Sequence, residues 1–155
     1  MRFGKQLICT GMIATMLCLS ACGSKTVTMD VATVASDMST QVTFKDQLEE
    51  IDLSSALSVY GIDEAKVKSG VVYMGTGATA EEIAVLEAAS ANDVADVKTG
   101  VENRVKDQKE ACENYLPDEM EKLNQAYIAV EGNYVILCIC DDTAQAKEVV
   151  NKAKN

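Results

Sequence analysis

The sequence predicts an α+β domain, with a three-stranded, mainly antiparallel sheet that ends in a C-terminal β-hairpin and is covered by helices. Three observations carry this expectation. Apolar residues recur at helical spacing over several segments. "AYIAV" and "YVILCIC" flank "EGN", where Gly132 and Asn133 supply residues that tolerate positive φ in a tight turn. "GVVYMG" at residues 70–75 is a short apolar run ended by a glycine and reads as a further buried strand.

The elements follow in order. From Asp30 to about Gln41, Val31, Val34, Ala35 and Met38 form a helical stripe. "FKDQLEEID" reads as a second helical piece leading into "LSSALSVYGID", with Asp52 as N-cap and Gly61 as stop. After the 70–75 strand, Thr79-Ala80-Glu81-Glu82 fits a capping box and predicts a helix carrying Ile83 and Leu86. A long helix restarts at Asn92-Asp93 with the stripe Val94, Val97, Val101, Val105, Cys112 and Tyr115. Its outer face offers the i,i+4 pairs Glu102–Lys106 and Lys106–Glu110. Pro117 breaks it, and "DEMEKLNQ" adds another turn or two. In "YVILCIC", Ile136, Cys138 and Cys140 fall on one face and Val135, Leu137 and Ile139 on the other. A strand apolar on both faces belongs inside a sheet, so "VILCIC" is expected in the middle. Asp142 can cap a last helix through about Ala153, and the strand–helices–hairpin order resembles a split βαβ unit.

The first 21 residues read as a leader. Arg2 and Lys5 form a basic n-region, and Leu7–Leu19 is a thirteen-residue run without a charge. That run is too short to cross a bilayer, which takes about 20 apolar residues. Leu19 would occupy the −3 position of a cut after Ala21, where an ordinary secretory site has a small residue. Leu19-Ser20-Ala21-Cys22 instead looks like the lipobox of bacterial lipoproteins. Cys22 is therefore the expected lipidation site and mature N-terminus, because two acyl chains hold a protein at a membrane where one does so only marginally. The expected organisation is a signal peptide over residues 1–21, a lipidated tether over 22–29 and one α+β domain over 30–155, on the extracytoplasmic face of the cell membrane. The whole chain carries 14 Lys and Arg against 24 Asp and Glu. Two of the basic residues leave with the leader, so the mature chain has a net charge of −12. Nucleic acid and anionic membrane surfaces repel such a chain.

"YGID" at 60–63, "VVYMGTGATAEEIAVLEA" at 71–88, the spacing of Arg104, Gln108, Tyr115 and Pro117, and "GNYVILCICDD" at 132–142 resemble an uncharacterised family of small lipoproteins from clostridial-type bacteria. The resemblance runs from about residue 30 to the end. It implies an extracytoplasmic single domain, and it brings no active residues with it.

No motif in the chain assigns catalysis, a cofactor or a metal. "GTGAT" lacks both the third glycine of the dinucleotide fingerprint and the Gly-Lys-Ser/Thr of a phosphate loop. Glu81 and Glu82 would also repel a phosphate there. Histidine is absent, which excludes a Ser-His-Asp triad. Cys112, Cys138 and Cys140 could converge as buried apolar groups, as a disulfide from Cys112 to one of the others, or as ligands of a metal that would still want a fourth donor. The acidic pairs Glu49-Glu50, Glu81-Glu82 and Asp141-Asp142 adjoin expected helix ends or exposed faces, so capping or solvation is their expected role. Tyr60, Tyr73, Tyr115, Tyr127 and Tyr134 could line a pocket. The expected function is a non-catalytic binding or interaction module of the cell envelope, docking a protein or small ligand. The alternative is an extracytoplasmic enzyme using carboxylates or a thiol.

Overall fold

A computed structural model describes residues 27–154. The leader, Cys9, Cys18, Cys22 and most of the tether lie outside the described residues. The fold is α+β with helices on both faces of an antiparallel sheet, but the sheet has five strands rather than the expected three, because Glu49–Ile51 and Glu82–Ala88, both expected as helix, pair into it.

Helix α1 (Val31–Gln41) is capped by the Asp30 side chain and buries the four predicted stripe residues. The segment expected to continue as helix does not do so. Residues 44–48 are irregular and lead into β1 (Glu49–Ile51), a short edge strand whose backbone partners are Val72, Tyr73 and Met74. Helix α2 (Leu53–Tyr60) starts at Asp52, whose carboxylate accepts from the Ser55 amide, and stops at Gly61 in the left-handed conformation, φ 64°. Strand β2 (Val67–Met74) contains the predicted apolar run.

The largest departure from expectation is β3 (Glu82–Ala88), a strand where the capping pattern predicted a helix. It is the middle strand, paired antiparallel to β2 on one side and to β5 (Tyr134–Ile139) on the other. Ile83 and Val85 enter the core beneath α1 and the C-terminal helix α5 (Thr143–Ala153), while Ala84 and Leu86 enter the opposite core beneath α2 and α3 (Val94–Tyr115). A helix would expose part of this apolar run, whereas a strand between two helical layers buries all of it.

Strand β5 is interior, between β3 and β4 (Tyr127–Glu131), and its two faces divide as the alternation predicts. Because both neighbours are antiparallel to β5, β3 and β4 run the same way with β5 inserted between them. This is a split βαβ unit whose crossover holds α3, a 3-10 turn at Pro117–Glu119 and α4 (Met120–Asn124). The β4–β5 turn has Gly132 at φ 59°. The register pairs Glu82 with Ile139 at one end of β3 and Glu87 with Tyr134 at the other. These are the loop end and the hairpin end of the sheet, about 17 Å apart. Residue 27 enters at the hairpin end, packed against the α1/α5 face, and a Cβ on Gly132 would lie 3.4 Å from the Val27 Cβ. No helix among the described residues is long and apolar enough to cross a membrane.

Candidate functional site

At the loop end of the sheet, Glu81 and Glu82 stand where the sequence pattern placed a helix cap. Both are buried, which overturns the expectation of capping or solvation for this pair. Alternation along the strand sends them to different partners.

Glu82 lies under α3. Its carboxylate accepts from Arg104 Nε at 3.1 and 3.2 Å and from Nη2 at 2.6 Å, from Gln108 Nε2 at 2.7 Å, and from the Tyr60 hydroxyl at 2.5 Å. Arg104 and Gln108 are four residues apart and therefore share one helix face. Burial, followed by the charge of Glu82, pushes the Tyr60 hydroxyl well above its ordinary value, so it stays a donor.

Glu81 closes the end of the sheet. One oxygen meets Lys122 Nζ at 2.8 Å, and the other accepts from the backbone amides of Lys45 and Asp46 at 2.9 and 2.8 Å. Lys122 also reaches Glu119 at 2.9 Å and Asp141 at 3.8 Å, and Lys45 pairs with Asp141 at 2.9 Å. Burial alone would raise the Glu81 carboxyl, but the Lys122 hydrogen bond and the two amides outweigh it and hold it below its ordinary value. Burial would likewise lower Lys122, yet hydrogen bonds to Glu81 and Glu119 hold it above. Among the described residues no buried side-chain nitrogen or oxygen lacks a partner. The loop 43–47, the loop 75–80, the Pro117–Glu119 turn with α4, and the end of β5 are thus tied to one another through Glu81, Glu119, Asp141, Lys122 and Lys45, while Arg104 and Glu82 join α3 to β3.

The "GTGAT" loop leads into a strand, so it has no helix N-terminus to offer an anion. Several amides in and just after it are already donating: Gly75 to the Glu81 carbonyl at 3.3 Å and Ala78 to the Thr76 hydroxyl at 3.4 Å. Thr76 donates to Asp46 at 2.7 Å and Ala80 donates to Glu119 at 2.9 Å. Beside this loop, a groove of about 420 Å³ runs along the C-terminal half of α3, with Thr79, Arg104, Asp107, Cys112 and Tyr115 among its walls. Tyr115, expected on the buried stripe of α3, is instead 85% exposed and stands at the groove mouth. The remaining tyrosines are spread elsewhere. Tyr60 is buried, Tyr73 borders a separate cleft beside Phe44, Tyr127 lies 6.0 Å from the Lys147 ammonium, and Tyr134 is buried at the hairpin end.

The three described cysteines are free and buried, and they do not converge. Cys112 belongs to the core beneath α2 and α3, whereas Cys138 and Cys140 belong to the core on the other face of the sheet. A Cys112 disulfide to either is therefore barred by the sheet itself. Burial raises the Cys112 thiol, with the Glu119 charge adding to it, so the one thiol at the groove is disfavoured as a nucleophile. Cys138 is raised by its hydrogen bond with Cys140 and by burial. Among the described residues no group of His, Cys, Asp and Glu has the arrangement of a metal site.

Within this cluster, the sequence does not single out Lys122 or Glu119, and it does not join Glu82, Arg104 and Gln108. Their i,i+3 and i,i+4 spacings were visible, but the partner carboxylates were assigned to a helix that does not form. The residues that carried the family resemblance do gather here: Arg104 and Gln108 beneath the groove, Tyr115 at its mouth, and Tyr60 under Glu82.

Comparison with family models matches residues 40–140 to a domain of unknown function, DUF4358. No curated protein and no solved structure matches the chain.

Proposed function

The chain belongs to the family of the DUF4358 domain; from its Leu19–Cys22 lipobox and its groove we propose that it is a lipid-anchored, extracytoplasmic binding module of the cell envelope, held through Cys22 and non-catalytic. Its binding surface is the groove between the 75–80 loop and α3. One observation carries the reading: residue 27 enters on the α1/α5 face at the hairpin end, while the groove opens beside α3 at the loop end. A tether rising from a membrane therefore leaves the groove clear of the bilayer. The charge cluster beneath favours binding over catalysis, because every carboxylate in it is already engaged and Cys112 is raised towards the neutral thiol. The fixed, hydrogen-bonded floor keeps the groove's shape ready for a partner.

Two measurements test this in intact cells. Cys22→Ala should move the protein out of the membrane fraction or leave the precursor uncleaved. A photo-crosslinking residue at position 115 should give a discrete adduct, while the same residue at Val59, also exposed but on α2, should not. Normal cleavage of Cys22→Ala with continued detergent partitioning sinks the anchor. Equal labelling at both positions, or none at 115, sinks the groove as the binding surface.

A further inference from the structure

The two edges of the sheet are protected very differently. β1 is three residues long and presents Glu49 and Glu50 to solvent, both of which discourage pairing with another chain. β4, "YIAVE", is five residues of regular strand without proline, bulge or lysine. Its Val130 is one of three large apolar residues exposed in the described domain, 40% accessible.

The register says which backbone groups of β4 are open. Glu131 and Tyr134 flank the two-residue turn and exchange hydrogen bonds, and alternation gives the same role to Ala129 and Tyr127. Ile128 and Val130 therefore turn their N–H and C=O groups outward, and among the described residues no other backbone group outside the sheet bonds to them. We propose that this edge is the seam of a homodimer, in which two copies pair antiparallel along β4 about a two-fold axis at Ala129.

The edge is complementary to itself. Antiparallel pairing centred on Ala129 sets Ile128 opposite Val130 of the second copy, an apolar pair on the α3 face whose outward N–H and C=O groups bond reciprocally. On the other face Tyr127, with Lys147 over its ring, comes opposite Glu131 of the second copy. Each seam thus brings a lysine near a glutamate at both ends, so a chain of net negative charge meets itself at a locally balanced strip. The axis runs perpendicular to the sheet. Both copies of residue 27 then lie on the same side of the dimer and both grooves on the other, the arrangement that two chains tethered to one membrane require. The seam depends on β4 alone and stands whether or not the groove binds anything.

The experiment is disulfide trapping of the full-length, membrane-inserted chain with a mild oxidant, followed by non-reducing electrophoresis. Ala129→Cys places its sulfur on the axis in a non-hydrogen-bonded pair, where Cα atoms are about 4.5 Å apart and a disulfide forms readily. Val130→Cys sits diagonal to its own copy, about 7–8 Å away, and should not be trapped. The expected result is a dimer band for Ala129→Cys, little for Val130→Cys, and at least a tenfold loss when Val130→Lys is added to Ala129→Cys. Val130→Lys changes an exposed side chain, so its thermal transition should match the parent's and separate loss of pairing from loss of fold. No band for Ala129→Cys, or equal bands at both positions, overturns the seam. So does a purely monomeric sedimentation profile of the unsubstituted protein in detergent at every concentration reached.

Discussion

The two ends of the sheet are held by different physics. At the loop end, Lys122 and Glu81 are almost wholly out of water, with side chains 3% and 0% accessible, and they are hydrogen-bonded to three separate segments. At the hairpin end the ion pairs are more exposed. Lys68 meets Glu87, Lys66 meets Asp96 and Lys154 meets Glu131, each with at least one partner well exposed or both part-exposed. That end is held instead by backbone bonding through a two-residue turn and by apolar contact with residue 27. A turn closes its own ends, whereas the loop end must gather segments far apart in sequence. Buried ions are suited to that task because a carboxylate can accept from several donors at once.

The largest effect expected from breaking this difference is at Lys122. Lys122→Met keeps the stem and removes the ammonium, leaving Glu81 buried and short of its counter-charge, and should cost about 3–5 kcal/mol. Chemical denaturation would measure it. Adding Glu81→Gln should recover part of the loss, since the amide oxygen can still accept from Lys45 and Asp46. Independent, additive losses would mean that the two groups are not one unit.

The same end sets the pH dependence. Glu81 is held below its ordinary value, so its contribution is complete above the usual carboxylate range and fades as pH falls through the lowered folded value. Lys122 is held above its ordinary value, so its contribution is complete below that value and fades as pH rises through the raised folded one. Stability should therefore be flat between about pH 6 and 9 and fall on both sides. In Lys122→Met the sign at Glu81 reverses: without the ammonium, burial favours the protonated acid, and the variant should lose least relative to the parent in acid. A constant difference from pH 4 to 8 would refute that assignment.

Much of this comparison was legible in the sequence at one end only. Gly132-Asn133, the two-faced alternation of β5, the Asp52 cap and the α1 stripe all have local signatures, and the structure keeps each of them. The loop end is non-local. Glu82–Ala88 is rich in residues that also favour helices, a continuous apolar run has no period to decide it, and Thr79 with Glu82 imitates a cap. β1 is too short to signal itself, and only pairing with β2 makes it a strand. On α3, the exposed pairs are Lys98–Glu102 and Lys106–Glu110, so Glu102 takes the earlier lysine of the two available. Misreading one strand as helix also hid the carboxylates that Arg104 and Lys122 were placed to meet.

At the hairpin end the effects should be smaller. Gly132→Ala forces a side chain into the left-handed region and should cost about 1–2 kcal/mol, read as a melting-temperature drop of a few degrees. An unchanged melting temperature would mean that the turn adopts another conformation.

The smallest effect expected is that of Lys154→Met, which removes the partner of Glu131. Both side chains keep access to water, 31% and 24%, so Glu131 can be rehydrated when the ammonium is lost. The cost should be no more than about 1 kcal/mol in dilute buffer. At 1 M salt the Debye length shrinks to about 3 Å, and the difference from the parent should vanish. Lys122→Met offers the contrast, because salt cannot enter a site from which water is already excluded, and its loss should survive the same salt. If both losses fade together, the loop end is as wet as the hairpin end and the contrast between them collapses. If neither fades, Lys154 acts through the packing of its stem against the end of β4 rather than through its charge.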